Sequence, residues 1–318
     1  MKAVAVNEFK TLPLVMDLPE PAVKEGSIKI KLTAAGLNPF DWKTIDGIMQ
    51  DHMPHVFPLI IGADGAGVVT EVGAGITRFK IGDKVYGQML HSPVGEGSYA
   101  EYVVVPETAA ITMAPETISL EDAAAAPTAG MTGLQLLEKA KLESGQSLLL
   151  IGAAGGVGSF TTQLANAKGI RVIATASSPA QAERLTTLGA AVTINYKASS
   201  LEEEVRKLYP DGVDALIDLV DNKEDFHKMI TLVKPEGYAL TTQFVADKES
   251  LKAQHLHGGN FETKSSPAAL DALRKVIDAG EVSIPVDRKV SLEQAPAAIA
   301  ESRQGKSKGK TIIVINAE

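Results

Sequence analysis

The chain has 318 residues and a formal net charge of −8, with 45% hydrophobic and 22% charged residues. These values are typical of a globular protein of about two domains and exclude a mainly disordered or coiled-coil chain. The negative charge disfavours nucleic-acid binding, and the densest basic stretch, formed by Lys306, Lys308 and Lys310, is interpreted as solvating a turn. Because the chain has no cysteine, disulfides and thiolate metal ligands are excluded.

No apolar run reaches the length that spans a bilayer, and the chain begins without the basic and apolar regions of a secretory signal. Neither membrane insertion nor secretion is therefore expected. We predict a cytoplasmic protein whose partners are small-molecule substrates rather than nucleic acids or membranes.

Short segments rich in Val and Ile, separated by Gly and Pro, occupy the first third of the chain. These segments are 1–6, 27–34, 65–72, 84–86 and 98–105. Their spacing predicts a β-rich, barrel-like domain. Ser119, followed by Glu121 and Asp122, then predicts the N-cap of a helix in an Ala-rich stretch, and the domain boundary is placed near it.

From Gln146 onwards, strand-like and helical segments alternate. The predicted strands are 147–151, 171–176, 191–194 and 215–219, and the predicted helices are 157–168, 180–188 and 201–208. This alternation predicts a parallel sheet. A later helix over 268–279 ends at Gly280, and a final strand over 310–315 could return to the first domain.

A glycine-rich turn follows the first of these strands and opens a helix. It reads Gly152-Ala153-Ala154-Gly155-Gly156-Val157-Gly158, with Ala153 in place of the usual first glycine. Small residues let the backbone approach a pyrophosphate, and the N–H groups and dipole of the helix bind its charge. The residues predicted to contact a dinucleotide are Ala154, Gly155, Gly156, Val157 and Gly158.

The end of the next strand indicates which dinucleotide is bound. An acidic residue there would hydrogen-bond the adenosine ribose of NAD, but the chain reads Thr175-Ala176-Ser177-Ser178. Ser177 and Ser178 offer hydroxyl donors, and Arg184 follows a helical turn or so later, so NADPH is predicted. If the serines only cap the next helix, either cofactor is compatible.

Five motifs in order resemble the medium-chain dehydrogenase/reductase superfamily, in its zinc-free quinone oxidoreductase-like branch. The motifs are AGLNPFD at 35–41, GADGAG at 62–67, GSYAE at 97–101, PTAGMT at 127–132 and AAGGVG at 153–158. The resemblance covers nearly the whole chain. It implies an α/β protein with a GroES-like β-rich catalytic domain, residues 1–120 with 262–318, and a Rossmann doubly wound parallel-sheet domain, residues 121–261. A homodimer is also implied.

The resemblance implies that both metals of the zinc relatives are absent. Zinc alcohol dehydrogenases carry a cysteine where this chain has Asn38, and a histidine-glutamate pair where it has Ala63 and Asp64. Their four-cysteine lobe is missing between Gly82 and Gly97. Three histidines in this part of the chain form no closed ligand set and are interpreted as surface or packing residues: His52, His55 and His91.

Two further cofactor residues follow from the resemblance. Tyr196 stands where quinone oxidoreductases place a tyrosine near the adenosine phosphate, and Thr132 would lie near the nicotinamide. The lysine that these relatives use is replaced by Gln181. Ser177, Arg184 and Tyr196 would then hold the phosphate.

Without zinc, hydride transfer depends on orienting the nicotinamide against an electron-poor acceptor, and quinones and α,β-unsaturated carbonyls suit this chemistry. Asn38 and Lys43 are the candidate donors to the oxygen that gains negative charge, with Asp41 positioning them. Lys43 could instead be a solvated loop lysine. Asp64 is interpreted as anchoring the glycine-rich turn at 62–67.

The sequence therefore predicts a zinc-independent, NADPH-dependent quinone or enone oxidoreductase. One alternative is an NAD(P)-dependent alcohol dehydrogenase-like enzyme, which the lost zinc ligands disfavour. Another is a non-catalytic dinucleotide-binding protein, which the intact motifs disfavour. A serine hydrolase is disfavoured because the chain has no G-x-S-x-G motif.

Overall fold

The computed structural model describes residues 1–305 and 309–316. Its strands are β1 (Lys2–Val6), β2 (Leu14–Asp17), β3 (Ser27–Gly36), β4 (Leu59–Ile60), β5 (Asp64–Val72), β6 (Lys84–Gln88), β7 (Tyr102–Pro106), β8 (Ile111–Met113), β9 (Ser147–Ile151), β10 (Arg171–Ala176), β11 (Val192–Asn195), β12 (Val213–Asp218), β13 (Val233–Thr241), β14 (His257–Asn260), β15 (Val286–Ser291) and β16 (Lys310–Val314). Its α-helices are α1 (Pro39–Ile45), α2 (Leu120–Ala123), α3 (Pro127–Ala140), α4 (Gly156–Ala167), α5 (Pro179–Thr187), α6 (Leu201–Leu208), α7 (Lys223–Met229), α8 (Lys248–Ala253), α9 (Pro267–Asp278) and α10 (Ala295–Arg303). Within these ranges, no helix combines the length and apolar character needed to cross a membrane.

The chain forms two compact units. The first unit comprises Met1–Met131, Lys264–Gly280 and Ile284–Glu318, and the second comprises Thr132–Thr263 and Glu281–Ser283. The division falls inside α3, after the change of composition at Ser119. Ser119 is the N-cap of α2, as predicted, because its hydroxyl oxygen accepts a hydrogen bond from the N–H of Asp122 at 3.1 Å.

The first unit is built on two sheets. The larger has the order β15-β16-β3-β5-β6-β8, with β7 also paired to β3, and the smaller has the order β2-β1-β4. Four predicted segments coincide with β1, β3, β5 and β6, whereas the segment predicted over 98–105 forms strand only from Tyr102 onwards. β16 pairs antiparallel with β3, which confirms that the end of the chain returns to this unit.

The core of the first unit lies on both faces of β3. Ile28, Ile30 and Leu32 are fully buried in one apolar cluster, and Ala35 belongs to another. Burying a side chain of this size contributes about 1.5–3 kcal/mol relative to leaving it exposed. The well-packed strand therefore gives a rigid support for the residues that follow Gly36 at its end.

The second unit contains one parallel sheet of order β11-β10-β9-β12-β13-β14. All five residues of β9 are buried, as expected for a central strand covered on both faces. The strand order reverses at β9, with β10 on one side and β12 on the other. This is the order of the doubly wound dinucleotide-binding fold, in which ligands bind at the carboxyl edge where the order reverses.

Candidate functional site

The glycine-rich turn lies at the carboxyl end of β9, at the reversal point of the sheet. Gly152 has a φ of +79°, a conformation that favours glycine. A Cβ on Gly158 would lie 2.4 Å from the carbonyl oxygen of Gly152 and 2.5 Å from the Cα of Ala153. Glycine at position 158 therefore allows the helix to pack closely against the turn.

The turn fits the pyrophosphate of a dinucleotide. Gly155 is the N-cap of α4, and a Cβ there would meet only the carbonyl oxygen of Gly152, at 3.4 Å. Ala154 and Val157 are half-buried, so their backbone remains accessible. Because the first N–H groups of a helix have no intrahelical acceptor, α4 directs donors and a positive dipole end to this open surface.

The two serines after β10 are tied to the start of α5. The hydroxyl oxygen of Ser178 accepts from the N–H of Gln181 at 3.3 Å, so Ser178 caps the helix. The N–H and hydroxyl of Ser177 both donate to Oε1 of Gln181 at 2.8 Å. The helix-capping alternative therefore applies to Ser178, and Gln181 orients the Ser177 hydroxyl.

Two of the remaining cofactor candidates, Arg184 and Tyr196, also belong to the second unit. Nη2 of Arg184 donates to the hydroxyl oxygen of Ser159 at 3.4 Å. Tyr196 is 52% exposed, and its N–H donates to the carbonyl oxygen of Ala176 at 3.2 Å, which places it beside the end of β10. Exposed Lys197 follows it, and sequence reasoning overlooked this cation although it directly follows Tyr196.

Thr132 is the cofactor candidate on α3, and it is 5% exposed. Its hydroxyl lies 2.7 Å from that of Thr263, a hydrogen-bonding distance. This contact holds the Thr132 side chain within the second unit. Contact of Thr132 with a nicotinamide stays a prediction.

A buried polar network occupies the first unit around the N-terminus of α1. We use this name for Asn38, Asp41, Asp64, Gln88, Tyr99, Thr128 and Lys310. Nδ2 of Asn38 donates to Oδ2 of Asp64 at 2.8 Å and to the carbonyl oxygen of Gly36 at 3.2 Å. Both amide hydrogens of Asn38 are thus engaged, so donating to a substrate oxygen would require breaking one of these bonds.

Asp41 connects the start of α1 to neighbouring loops. Its carboxylate accepts from the N–H of Asn38 at 2.7 Å, the hydroxyl of Tyr99 at 2.7 Å and the N–H of Ala63 at 3.0 Å. Burial raises the pKa of Asp41 to about 6, and the hydrogen bonds oppose that shift. The geometry fits the predicted positioning role of this residue.

Asp64 is fully buried and also accepts hydrogen bonds from Thr128. The Thr128 hydroxyl donates to Oδ1 at 2.6 Å and its N–H donates to Oδ2 at 3.0 Å, while Nε2 of Gln88 donates to the Thr128 hydroxyl oxygen at 2.6 Å. Burial raises the pKa of the Asp64 carboxyl, against the opposing positive charge of Lys310. Asp64 therefore joins α3 to the loop before α1, a wider role than anchoring a turn.

Lys310 does not solvate a turn, and that interpretation of the basic stretch is wrong for this residue. It is 3% exposed, and its Nζ donates to Oδ1 of Asn38 at 2.6 Å and to the carbonyl oxygen of Leu37 at 3.0 Å. The pairing of β16 with β3 buries it, and this burial lowers the pKa of its ammonium group. Lys306 and Lys308 lie outside the described residues.

Lys43 lies on α1 and is half-buried. Its Nζ lies 5.7 Å from the ring centroid of Trp42. Across residues 1–305 and 309–316, no hydrogen bond or ion pair engages this ammonium group. Lys43 is therefore better placed than Asn38 to donate a new hydrogen bond.

The residues around Asn38 do not fit a zinc ion. The Ala63 side chain has no ligand atom, and the amide oxygen of Asn38 already accepts from the Lys310 ammonium group. In the part of the chain that the structure describes, no group of three or more His, Cys, Asp or Glu could hold a metal. His55 packs edge-on against Phe9, and Nε2 of His91 lies 3.0 Å from the carbonyl oxygen of Val104.

Comparisons with known proteins agree with this architecture. Residues 24–115 match the alcohol dehydrogenase GroES-like domain, and residues 156–279 match the zinc-binding dehydrogenase domain. A 2-methylene-furan-3-one reductase of Solanum lycopersicum is 32% identical over 98% of this chain and 79% of its own length. An NADPH-dependent alkenal/one oxidoreductase of Arabidopsis thaliana is 30% identical over 91% of this chain and 72% of its own.

The comparison with solved structures points to the same group. The structure of a quinone oxidoreductase from Coxiella burnetii superimposes with a TM-score of 0.87 and 30% identity, covering 100% of this chain and 99% of that one. Both predicted domain types, GroES-like and Rossmann, are thereby confirmed. The chain belongs to the quinone oxidoreductase-like branch of the medium-chain dehydrogenase/reductase superfamily and is an oxidoreductase.

Proposed function

We propose that this enzyme is zinc-independent and uses NADPH to reduce a quinone or an α,β-unsaturated carbonyl. The observation that carries the proposal is the buried lysine contact at Asn38. Zinc relatives place a metal-ligating cysteine at this position, whereas here an amide oxygen accepts from the Lys310 ammonium group. The positive charge of the buried Lys310 ammonium group disfavours binding of a zinc ion to the same amide oxygen. The names of the reductases similar to this chain support the same class of acceptor.

The choice of NADPH rests on the surface at the ends of β10 and β11. No acidic residue occupies 175–178, and exposed Tyr196, whose N–H bonds to the carbonyl oxygen of Ala176, is followed by exposed Lys197. Arg184 adds a second positive charge on α5. Hydroxyl and cationic groups favour the extra phosphate of NADPH, which an acidic side chain would repel. The NADPH-dependent Arabidopsis relative supports this choice.

Reduction requires a hydride and then a proton. When bound, NADPH would supply the hydride to the electron-poor carbon of an enone or to a quinone. The acceptor oxygen then carries negative charge. Lys43 donates a hydrogen bond to this oxygen, while Asn38 and Asp41 hold the start of α1 in place. A proton, from Lys43 or from water, completes reduction to the hydroquinone or the saturated carbonyl.

An acceptor panel tests the proposed reaction. Purified enzyme is mixed with NADPH or NADH and with benzoquinone, phenanthrenequinone, hexenal or methyl vinyl ketone, and the nicotinamide absorbance is followed. We expect NADPH oxidation with at least one acceptor, at a higher kcat/KM than with NADH. Replacing Lys43 by Met should lower kcat roughly a hundred- to a thousandfold, the typical effect of losing a donor to a developing charge.

The exposed Lys80 provides the matched control, since Lys80→Met removes a lysine of the same unit outside the network. NADPH binding without oxidation by any acceptor would favour the non-catalytic alternative. Oxidation of a simple alcohol with NADP or NAD, dependent on zinc, would favour the alcohol dehydrogenase alternative.

We also propose that the enzyme is a cytoplasmic homodimer. β14 forms one end of the sheet in the second unit, and an edge strand can pair with the same strand of a second copy. Sedimentation equilibrium should give twice the monomer mass across the working concentration range. A monomer mass at the highest concentration would contradict the dimer.

A further inference from the structure

Lys310 is a lysine that lies almost entirely out of contact with solvent. It is 3% exposed, at the start of β16, and its Nζ reaches two acceptors at the end of β3: the carbonyl oxygen of Leu37 and the amide oxygen of Asn38. Removing an ammonium group from water is costly unless hydrogen bonds and an opposite charge compensate it. The surroundings of Lys310 must therefore provide that compensation.

Two buried carboxylates provide the opposite charge. Asp41 is 2% exposed and Asp64 is fully buried. Each carboxylate accepts hydrogen bonds from N–H and O–H donors, and the resulting arrangement suits ionised carboxylates, which can only accept. The network thus contains one buried cation and two buried anions.

The Asn38 amide lies between the cation and one anion. Its Oδ1 accepts from Nζ of Lys310 at 2.6 Å, and its Nδ2 donates to Oδ2 of Asp64 at 2.8 Å. The reverse orientation would direct the NH₂ group towards an ammonium and the C=O group towards a carboxylate. Lys310 and Asp64 together therefore determine which way the amide faces.

The amide orientation affects the helix that carries Lys43. Asn38 is the N-cap of α1, and its N–H donates to Asp41 in the first turn. Lys43 follows in the same short helix. A change at Asn38 would therefore move or loosen the start of α1 and the ammonium group of Lys43.

We propose that Lys310 is a positioning residue: it orients the Asn38 amide and so fixes α1 and the substrate donor Lys43. The expected effect of Lys310 on turnover rests on the proposed function. The coupling of Lys310 to Asn38 and Asp64 is independent of substrate and can be measured by unfolding.

A set of four proteins tests the proposal: wild type, Lys310→Met, Asp64→Asn and the double variant. Lys310→Met leaves two buried anions without their cation, so its unfolding midpoint in urea should fall, and Asp64→Asn should lower it too. The double variant removes the buried cation and its Asp64 partner together, so neither charge is left without the other. The double variant should therefore be more stable than the sum of the single changes predicts.

Measurements of kcat distinguish a positioning role of Lys310 from a role in stability alone. In the double variant the Asn38 amide is no longer held between opposite charges, so kcat for the best acceptor should be at least tenfold below wild type. Its Kd for NADPH, measured by nicotinamide fluorescence, should stay within about threefold. A merely structural role would restore kcat together with the unfolding midpoint.

Lys29 provides the control. It is a buried lysine of β3 that pairs with Glu20 at 2.9 Å and Glu71 at 2.6 Å, and it has no contact with the network. Lys29→Met should change the unfolding midpoint and leave kcat at the wild-type value.

Three results would overturn the proposal. The first is additive unfolding midpoints across the four proteins, the second is wild-type kcat in the double variant, and the third is a double variant that fails to fold. If the wild type reduces no acceptor, the proposed function fails, while the unfolding comparison still decides whether Lys310, Asn38 and Asp64 act together.

Discussion

Two interacting carboxyl groups, those of Asp218 and Asp221, lie at the carboxyl edge of the second unit's sheet. Asp218 ends β12 beside Ile151 of β9, and its Oδ1 accepts from the N–H groups of Val220 at 2.9 Å and Asp221 at 3.0 Å. Oδ2 of Asp218 is buried and has no hydrogen-bond partner among the residues described. Burial, together with the negative charge of Asp218, raises the pKa of Asp221 to about 7.

Asp221→Asn should stabilise the protein at neutral and alkaline pH. Because the pKa of Asp221 is raised from 3.8 to about 7 on folding, its carboxyl destabilises the folded state progressively as pH rises through that interval. Asparagine cannot ionise, and its amide can donate to Asp218. Allowing for the partial exposure of Asp221, we expect a gain of about 1–2 kcal/mol at pH 8 and almost none near pH 4.

Urea unfolding of the variant and wild type at several pH values between these limits measures the effect. The exposed Asp211, in the turn before β12, gives the matched control Asp211→Asn. A gain of the same size at all pH values would show that the charge of Asp221 is not its source.

Individual residues show where sequence reasoning succeeds and where it stops. Asn38, Asp41 and Asp64 were identified because family motifs surround them. Lys310 was misinterpreted because its partners lie about 270 positions earlier in the chain, and only the pairing of β16 with β3 brings them together. Tyr99 lies within a motif, but its bond to Asp41 depends on the same tertiary arrangement.

Whole elements were predictable where burial imposes a clear pattern. β9 and β10 are covered on both faces, so their sequences are continuous apolar runs. Two of the strands that were not predicted lack that pattern: β2 is largely exposed, and β14 reads His-Gly-Gly-Asn at the edge of its sheet. Their structure depends on a neighbouring strand, which sequence periodicity does not reveal.

The turn between β9 and α4 allows two glycines of the same element to be compared. Gly158→Ala would place a methyl group within 2.5 Å of the backbone at Gly152 and Ala153, so the helix must shift. We expect a loss of about 2–3 kcal/mol of stability and weaker NADPH binding. Gly155→Ala meets only one atom, at 3.4 Å, and should cost less than about 1 kcal/mol.

Thermal unfolding and NADPH titration of both variants test this difference. The two substitutions add the same methyl group at positions three residues apart, so Gly155→Ala controls for the chemistry of the change. Equal stability of the two proteins would contradict close packing at Gly158. A normal NADPH affinity in Gly158→Ala would contradict a role of this turn in cofactor binding.

At the scale of the whole molecule, the two units carry different chemistry. The second unit supplies the glycine-rich turn and the polar ends of β10 and β11, and the first unit supplies the buried polar network. Fold class was predictable because the alternating pattern of the second unit and the motif order are continuous in sequence. The division within α3 was not, since a helix that continues through it leaves no break in the sequence pattern.

We predict that the whole enzyme is active without zinc, which metal removal tests. The chain has no cysteine, the Ala63 side chain supplies no ligand atom, and a buried ammonium group contacts Asn38. Dialysis against EDTA and phenanthroline should therefore leave kcat for the best quinone or enone unchanged, and elemental analysis should find far less than one zinc per chain. A zinc alcohol dehydrogenase treated in parallel should lose its activity, which verifies the chelation. Stoichiometric zinc whose removal abolishes turnover would contradict zinc independence. A metal would then be held by ligands other than those at Asn38 and Ala63.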